Sequence, residues 1–212
     1  MTVTKTVMCF GDSITWGQDP VSRQRLPYGS RWPGVLQGAL AGRIRVIEEA
    51  LCDRTTIWDD PYVEGRNGKA MLGPLLESHA PIDLLAIMLG TNDLQRHFHK
   101  NAAEVALGVR TLTELALRTG CGPSGEAPEL LVIAPHSFGG MAPMERLYFS
   151  GKEQEATALA ESLRVVAECY GARFIDASKV VVAGADGIHL DAENHRKLAQ
   201  AVCAEIEPVL FA

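Results

Sequence analysis

Several things are scarce or missing in this 212-residue chain, and each omission removes a class of function. Basic residues do not outnumber acidic ones: 20 Lys and Arg stand against 26 Asp and Glu, for a net charge of -6. That balance gives no reason to expect nucleic acid or an anionic membrane as a partner. The five cysteines, Cys9, Cys52, Cys121, Cys169 and Cys203, are odd in number, widely spaced and lack a C-x-x-C pair. This argues against a disulfide framework and against a zinc site. Cys9, Cys169 and Cys203 lie in apolar segments, where a free thiol behaves as a small hydrophobe, and this fits a reducing compartment. No stretch approaches the roughly 18 apolar residues of a membrane span. The opening "MTVTKTVMCF" has one lysine and a β-branched run too short for a signal-peptide core. A cytoplasmic protein is expected. There is no internal repeat, low-complexity tract or linker, so residues 1–212 are expected to form one domain with a substantial core.

Five short β-rich runs are present: Thr6–Phe10, Arg45–Ile47, Leu84–Leu89, Leu130–Ala134 and Arg173–Ile175. "LLAIML" and "LLVIA" are apolar without alternation, as in strands covered on both faces. Segments of helical period lie between the runs. Trp32, Val35, Leu36, Ala39 and Leu40 form one stripe, with Pro33 tolerated in the first turn. Asn101 followed by Glu104 reads as a capping box, with Val105, Val109, Leu112 and Ala116 as the inner face. Ala156, Ala160, Leu163, Ala167 and Tyr170 form a third stripe, which Gly171 closes. A last helix starts near Asp191 and buries Leu198, Val202 and Ile206. Strands alternating with helices predict right-handed crossovers and a parallel sheet flanked by helices. Three loops look long: Gln18–Gly29, Trp58–Lys69 and Pro135–Ser150. In such a sheet ligands bind beyond the carboxyl ends of the strands, and Ser13, Asp53 and Asn92 each follow a strand there.

Three polar blocks carry chemistry. "FGDSITWG" delivers Asp12 and Ser13 at the end of the first strand. "IMLGTND" brings Asn92 and Asp93 out of a buried strand, and "GADGIHL" sets Asp186 three residues before His189. Each alone is ordinary turn chemistry. Together they make a hydroxyl, an imidazole with a carboxylate to orient it, and an amide, which is a kit for nucleophilic acyl transfer. The tetrahedral intermediate would need donors, and the Ser13 backbone N–H and the Asn92 amide are candidates. No G-x-S-x-G elbow occurs, and the first block lacks the spacing and lysine of a P-loop.

"GDS", "GTND" and "DGIH", in that order across nearly the whole chain, resemble the GDSL/SGNH hydrolase family. "EEALCDRTT" and "MLGTND" resemble more closely its bacterial arylesterase and acyltransferase branch. The resemblance implies a flavodoxin-like three-layer α/β/α sandwich on a five-stranded parallel sheet. It implies Ser13 as nucleophile, His189 as base, Asp186 as its partner and Asn92 as an oxyanion donor. The family usually places a glycine in its second block to lend a backbone N–H, and here that position is Asp53. A backbone donor survives the change if the local dihedrals tolerate a side chain. The Asp53 carboxylate is then expected to point away from the developing charge, paired with Arg54. The resemblance also implies a homo-oligomer.

The activity expected is hydrolysis of small short-acyl or aryl carboxylic esters through an acyl-enzyme on Ser13, with acyl transfer as a side activity. Acetylated sugars and thioesters are alternative substrates, and a non-catalytic binding module is the competing reading. No cofactor or metal is called for; His97 and His99 in "HFH" lack a third ligand and read as surface residues. His195 is expected to be solvated. Asp12 fixes its own turn, and Asp93 could do the same. Trp16, Trp58, Phe138 and Met141, with Tyr148 and Phe149, are candidates for an acyl or aryl pocket, for packing, or for a subunit interface.

Overall fold

Neighbouring residues of a strand face opposite sides of a sheet, and the central strands of this chain are apolar on both. The computed structural model describes residues 4–211. Its strands are β1 (Lys5–Gly11), β2 (Ile44–Ala50), β3 (Leu84–Met88), β4 (Glu129–Ala134) and β5 (Arg173–Asp176). They pair in parallel in the order β2-β1-β3-β4-β5, the flavodoxin-like order of doubly wound sheets.

Met8, Phe10, Leu85, Ile87 and Val132 turn to one side of the sheet. There they meet α3 (Gly68–His79), α4 (Ala102–Arg118) and α6 (Glu153–Cys169). Val7, Cys9, Ala86, Met88, Leu131 and Ile133 turn to the other side. They are covered by α2 (Trp32–Ala39) and α7 (Ala192–Leu210). The expected α/β/α sandwich is therefore present. Two short helices complete the set among the described residues: α1 (Ser13–Trp16) and α5 (Pro143–Phe149).

Local signals account for most boundaries. Asn101 accepts from the Glu104 N–H at 2.9 Å and Glu104 accepts from the Asn101 N–H at 3.0 Å, the reciprocal capping box. Asp191 caps α7, accepting from the Asn194 N–H at 2.8 Å. β2 runs further than its apolar core suggests. Glu48 and Glu49 extend it because it is an edge strand, where charge is tolerated, and Glu48 pairs with Arg25 at 2.9 Å and Arg31 at 3.3 Å. Two expected loops contain helix. α3 begins inside the segment 58–69, capped by Asn67, and its Gly73 and Pro74 hide it from a propensity reading. α5 lies inside the segment 135–150, opened by Pro143 at its first position.

The turn from β1 into α1 leaves no room for a side chain at Gly11. A Cβ there would stand 2.1 Å from Thr15 Oγ1, 2.6 Å from Thr15 Cβ and 3.0 Å from the Met88 carbonyl oxygen. Gly11→Ala is therefore expected to cost about 1–3 kcal/mol, the usual range for overpacking, read from urea unfolding. A variant as stable as the parent would show that the turn is looser than described.

Candidate active site

The β1–α1 turn presents Ser13 at the first position of α1. Asp12 caps the helix, its Oδ1 accepting from the Ile14 N–H at 2.9 Å. Gly17, with φ of 84°, closes it by donating to the Ser13 carbonyl at 2.9 Å. Ser13 Oγ lies 2.9 Å from His189 Nε2, and His189 Nδ1 lies 2.6 Å from Asp186 Oδ2. Three side chains from the two ends of the chain thus form one buried line.

The loop carrying the last two is held by its own backbone. Asp186 Oδ1 accepts from the Ile188 N–H at 2.9 Å and the His189 N–H at 2.8 Å. Burial alone would raise the Asp186 pKa. The His189 hydrogen bond and charge, with the two amides, outweigh it and hold the carboxyl below its ordinary value. Gly187 sits between these residues because its φ is +83° and a Cβ would meet Met141 Cα at 2.7 Å. The Gly187 and Asp186 carbonyls accept from Gly139 N–H at 2.9 Å and Ala142 N–H at 3.0 Å. The segment before α5 thereby clamps the histidine loop.

The middle of the chain supplies the amide. Asn92 Nδ2 donates to the Arg54 carbonyl at 3.1 Å, and Asn92 Oδ1 accepts from Gln95 Nε2 at 3.1 Å. The carboxamide orientation is fixed from both ends, and one N–H remains. Asp53, the residue at the expected glycine position, has φ of 62°; aspartate is among the few residues that visit this region readily. The expected Asp53–Arg54 pair is not formed. Arg54 turns inward and donates to the Gly11 carbonyl at 3.0 Å and the Glu49 carbonyl at 2.6 Å. Neither the Ser13 nor the Asp53 N–H has an acceptor among the described residues. Burial raises the Asp53 carboxyl pKa, opposed by Arg66, His189 and Arg23.

Ser13, His189, Asn92 and Asp53 line a cleft of about 330 Å³ with Gln18, Arg23, Gln95, Met144, Glu145, Tyr148, Phe149 and Ile188. Tyr148 and Phe149 are in the expected rim. Trp16 and Trp58 lie outside the lining: Arg25 covers the Trp16 ring at 4.9 Å and Lys100 covers Trp58 at 4.0 Å. Phe138 and Met141 also lie outside it, packed behind Phe149 and Ile188 in a small apolar cluster. Asp12 is fully buried beneath the cleft and does not line it. Asp93 does not act only within its own turn. It binds across the fold to Thr56, accepting from its N–H at 3.0 Å and from its hydroxyl. His195 is buried rather than solvated, its Nδ1 accepting from the Trp32 N–H at 3.3 Å. Burial lowers its pKa to about 4.

Sequence reading missed Gln95, Arg23 and Glu145. The Arg23–Glu145 ion pair joins residues 122 apart in the chain, and no local pattern announces it. Gln95, three residues after Asn92, was within reach of a hydrogen-bonding argument.

The chain belongs to the GDSL-like Lipase/Acylhydrolase family, whose model matches residues 9–197. Among solved structures, Est24, a carbohydrate acetylesterase from Sinorhizobium meliloti, is 36% identical, with 97% of this chain and 100% of that chain covered and a TM-score of 0.93. The inhibitor-bound aryl esterase of M. smegmatis is 38% identical, covering 97% and 99%, also with a TM-score of 0.93. A second carbohydrate acetylesterase family member from S. meliloti is 38% identical, covering 98% and 97%, with a TM-score of 0.87. The family match and the esterases among similar solved structures make this chain a carboxylic ester hydrolase. No protein of curated function matches the chain. No helix among the described residues is long and apolar enough to cross a membrane.

Two carboxyls beneath the site are buried at a cost. Burial raises Asp12 to about 7, against the pull of the Ile14 N–H, and raises Asp93 to about 6. A raised carboxyl pKa gives stability that is complete below the ordinary value of 3.8 and is lost as pH climbs through the folded value near 7. Asp12→Asn keeps the cap and removes this titration. The variant is therefore expected to gain stability relative to the parent between about pH 4 and pH 7, measured by urea unfolding across that range. Parallel pH curves would contradict the burial effect.

Proposed function

We propose that this protein hydrolyses small carboxylic esters through an acyl-enzyme on Ser13. The observation that carries the reading is the unbroken contact from Asp186 through His189 to Ser13 Oγ, with gaps of 2.6 and 2.9 Å. Serine is a weak nucleophile until a base takes its proton. His189 Nε2 accepts that proton as Oγ attacks the ester carbonyl, and Asp186 remains ionised to stabilise the imidazolium. The oxyanion receives the remaining Asn92 N–H and the unpartnered N–H groups of Ser13 and Asp53. His189 then returns the proton to the departing alkoxide. Water, deprotonated by the same imidazole, releases the acyl group as an acid. An alcohol in place of that water gives acyl transfer.

The apolar wall of Met144, Phe149 and Ile188 suits a short acyl or aryl group. A second reading has its own support: Gln18, Arg23, Asp53, Gln95 and Glu145 crowd the same cleft with donors and acceptors. Hydroxyls can satisfy both, which favours an acetylated sugar like the substrates the S. meliloti relative's description names. The ratio of kcat/KM for acetylated sugars to that for p-nitrophenyl acetate decides between the two.

Ser13→Ala is expected to lower p-nitrophenyl acetate hydrolysis by at least about 10³-fold, and a fluorophosphonate should label Ser13 in the parent. Undiminished turnover in the variant, or no adduct on Ser13, would mean that the chemistry lies elsewhere or that the protein is a binding module.

A further inference from the structure

Beyond the Ser13 cleft lies a larger cavity of about 670 Å³, within the range of small-molecule sites. Its walls include Tyr62, Leu147 and Tyr148, and its charged lining residues are all basic: Arg96 and Lys152, with His97 and His99 beside them. No carboxylate lines it, in a chain whose net charge is -6. Asp60 is the nearest acid to these groups, 3.9 Å from His97 Nε2. Arg96 makes no ion pair among the described residues. Lys152 is held in place by donating to the Lys100 carbonyl at 2.6 Å, which leaves its other N–H groups free.

The backbone aims this cluster. Arg96–Phe98 form a single 3-10 turn that ends at His99 with φ of 54°, a left-handed conformation that histidine, like asparagine and aspartate, adopts more readily than most residues. Arg96, His97 and His99 thus form a short basic wall. Tyr148 lines both this cavity and the Ser13 cleft, so the two spaces share a wall.

We propose that this cavity is a second ligand site for an organic anion with an apolar body, placed to receive the far end of an ester whose carbonyl lies at Ser13. Tyr62, Leu147 and Tyr148, all exposed, offer the body an apolar face while Arg96 and Lys152 meet the anionic group. Binding of the anion stands on the cavity alone; its attachment to an ester rests on the esterase reading above.

Two measurements separate these parts. In calorimetry, 2-naphthoate, an aromatic carboxylate with no ester, is expected to bind about tenfold tighter than neutral 2-naphthamide. That preference should vanish in the Arg96→Gln/Lys152→Gln double variant, survive in Arg96→Lys, and be unaffected by Ser13→Ala. In kinetics, the acetate ester of 4-hydroxyphenylpropionate is expected to exceed its amide counterpart in kcat/KM by a similar factor in the parent. That excess should be lost in the double variant. Equal binding of naphthoate and naphthamide by the parent would overturn the proposal. So would naphthoate binding that fades as protein concentration rises, which would mean that a second copy covers the cavity. A naphthoate preference without the kinetic excess would overturn the substrate half alone. Ser13→Ala leaves the binding result intact, so failure of the esterase reading stays distinguishable.

Discussion

A buried carboxylate must be given donors to replace the water it has lost, and Asp186 meets that requirement in a way that shapes the site around it. Two backbone amides and one imidazole supply its hydrogen bonds. Bonds to an ionised group contribute about 1.5–3 kcal/mol each, enough together to offset burial and keep the carboxyl ionised. Those amides belong to residues 188 and 189 themselves, so the acid that orients the imidazole also folds the turn that carries it. A histidine fixed in this way can reach Ser13 only if β1 and the loop before α7 end at the same edge. The order β2-β1-β3-β4-β5 brings them there.

The same edge concentrates buried charge. Arg54 ties the ends of β1 and β2 through the Gly11 and Glu49 carbonyls, and its guanidinium covers the Phe10 ring at 4.3 Å. Burial lowers its pKa to about 10, so it is still protonated near neutrality. Asp93 accepts from Thr56 and Asp12 from Ile14. The floor is therefore a lattice of polar groups bound mostly to backbone, which has fewer ways to relax than a lattice of side chains. The carbonyl that receives the Asn92 amide belongs to Arg54, so the inward turn of that arginine and the aim of the amide are set by one short segment.

The parts of this arrangement that could be read in the sequence are those built from local contacts. Ser13 with Asp12, Asp186 with His189, and the Asn101 capping box lie within three residues of their partners, and their patterns survive in the linear chain. β3 and β4 are legible because residues covered on both faces leave continuous apolar runs. Trp16 and Trp58 stay open between pocket, packing and interface in the sequence, because an aromatic beside a catalytic block has several fates with the same pattern. A cation covers the face of each ring instead. α3 was hidden by Gly73 and Pro74, residues that tertiary packing of Leu72 and Leu76 overrides. The solvation expected for His195 failed for a similar reason. Its position four residues into α7 puts it against Trp32 of α2, a contact across 163 residues.

The cleft therefore divides into a floor that is over-determined and a rim that is not. Asp12, Arg54, Asn92, Asp93 and Asp186 are each held by at least one backbone bond, whereas the rim is closed by Arg23 and Glu145, one from a surface loop and one from α5. Arg23 holds a left-handed φ of 59° in a loop tied by Asp19, which accepts from the Val21 N–H at 3.0 Å. Its side chain remains half exposed while that of Glu145 is buried, so the pair supplies a donor to a carboxylate cut off from water. Both residues line the cleft beside Ser13. Two solved structures that each match this chain at a TM-score of 0.93 are a carbohydrate acetylesterase and an aryl esterase, so a backbone of this shape accompanies esterases named for different esters.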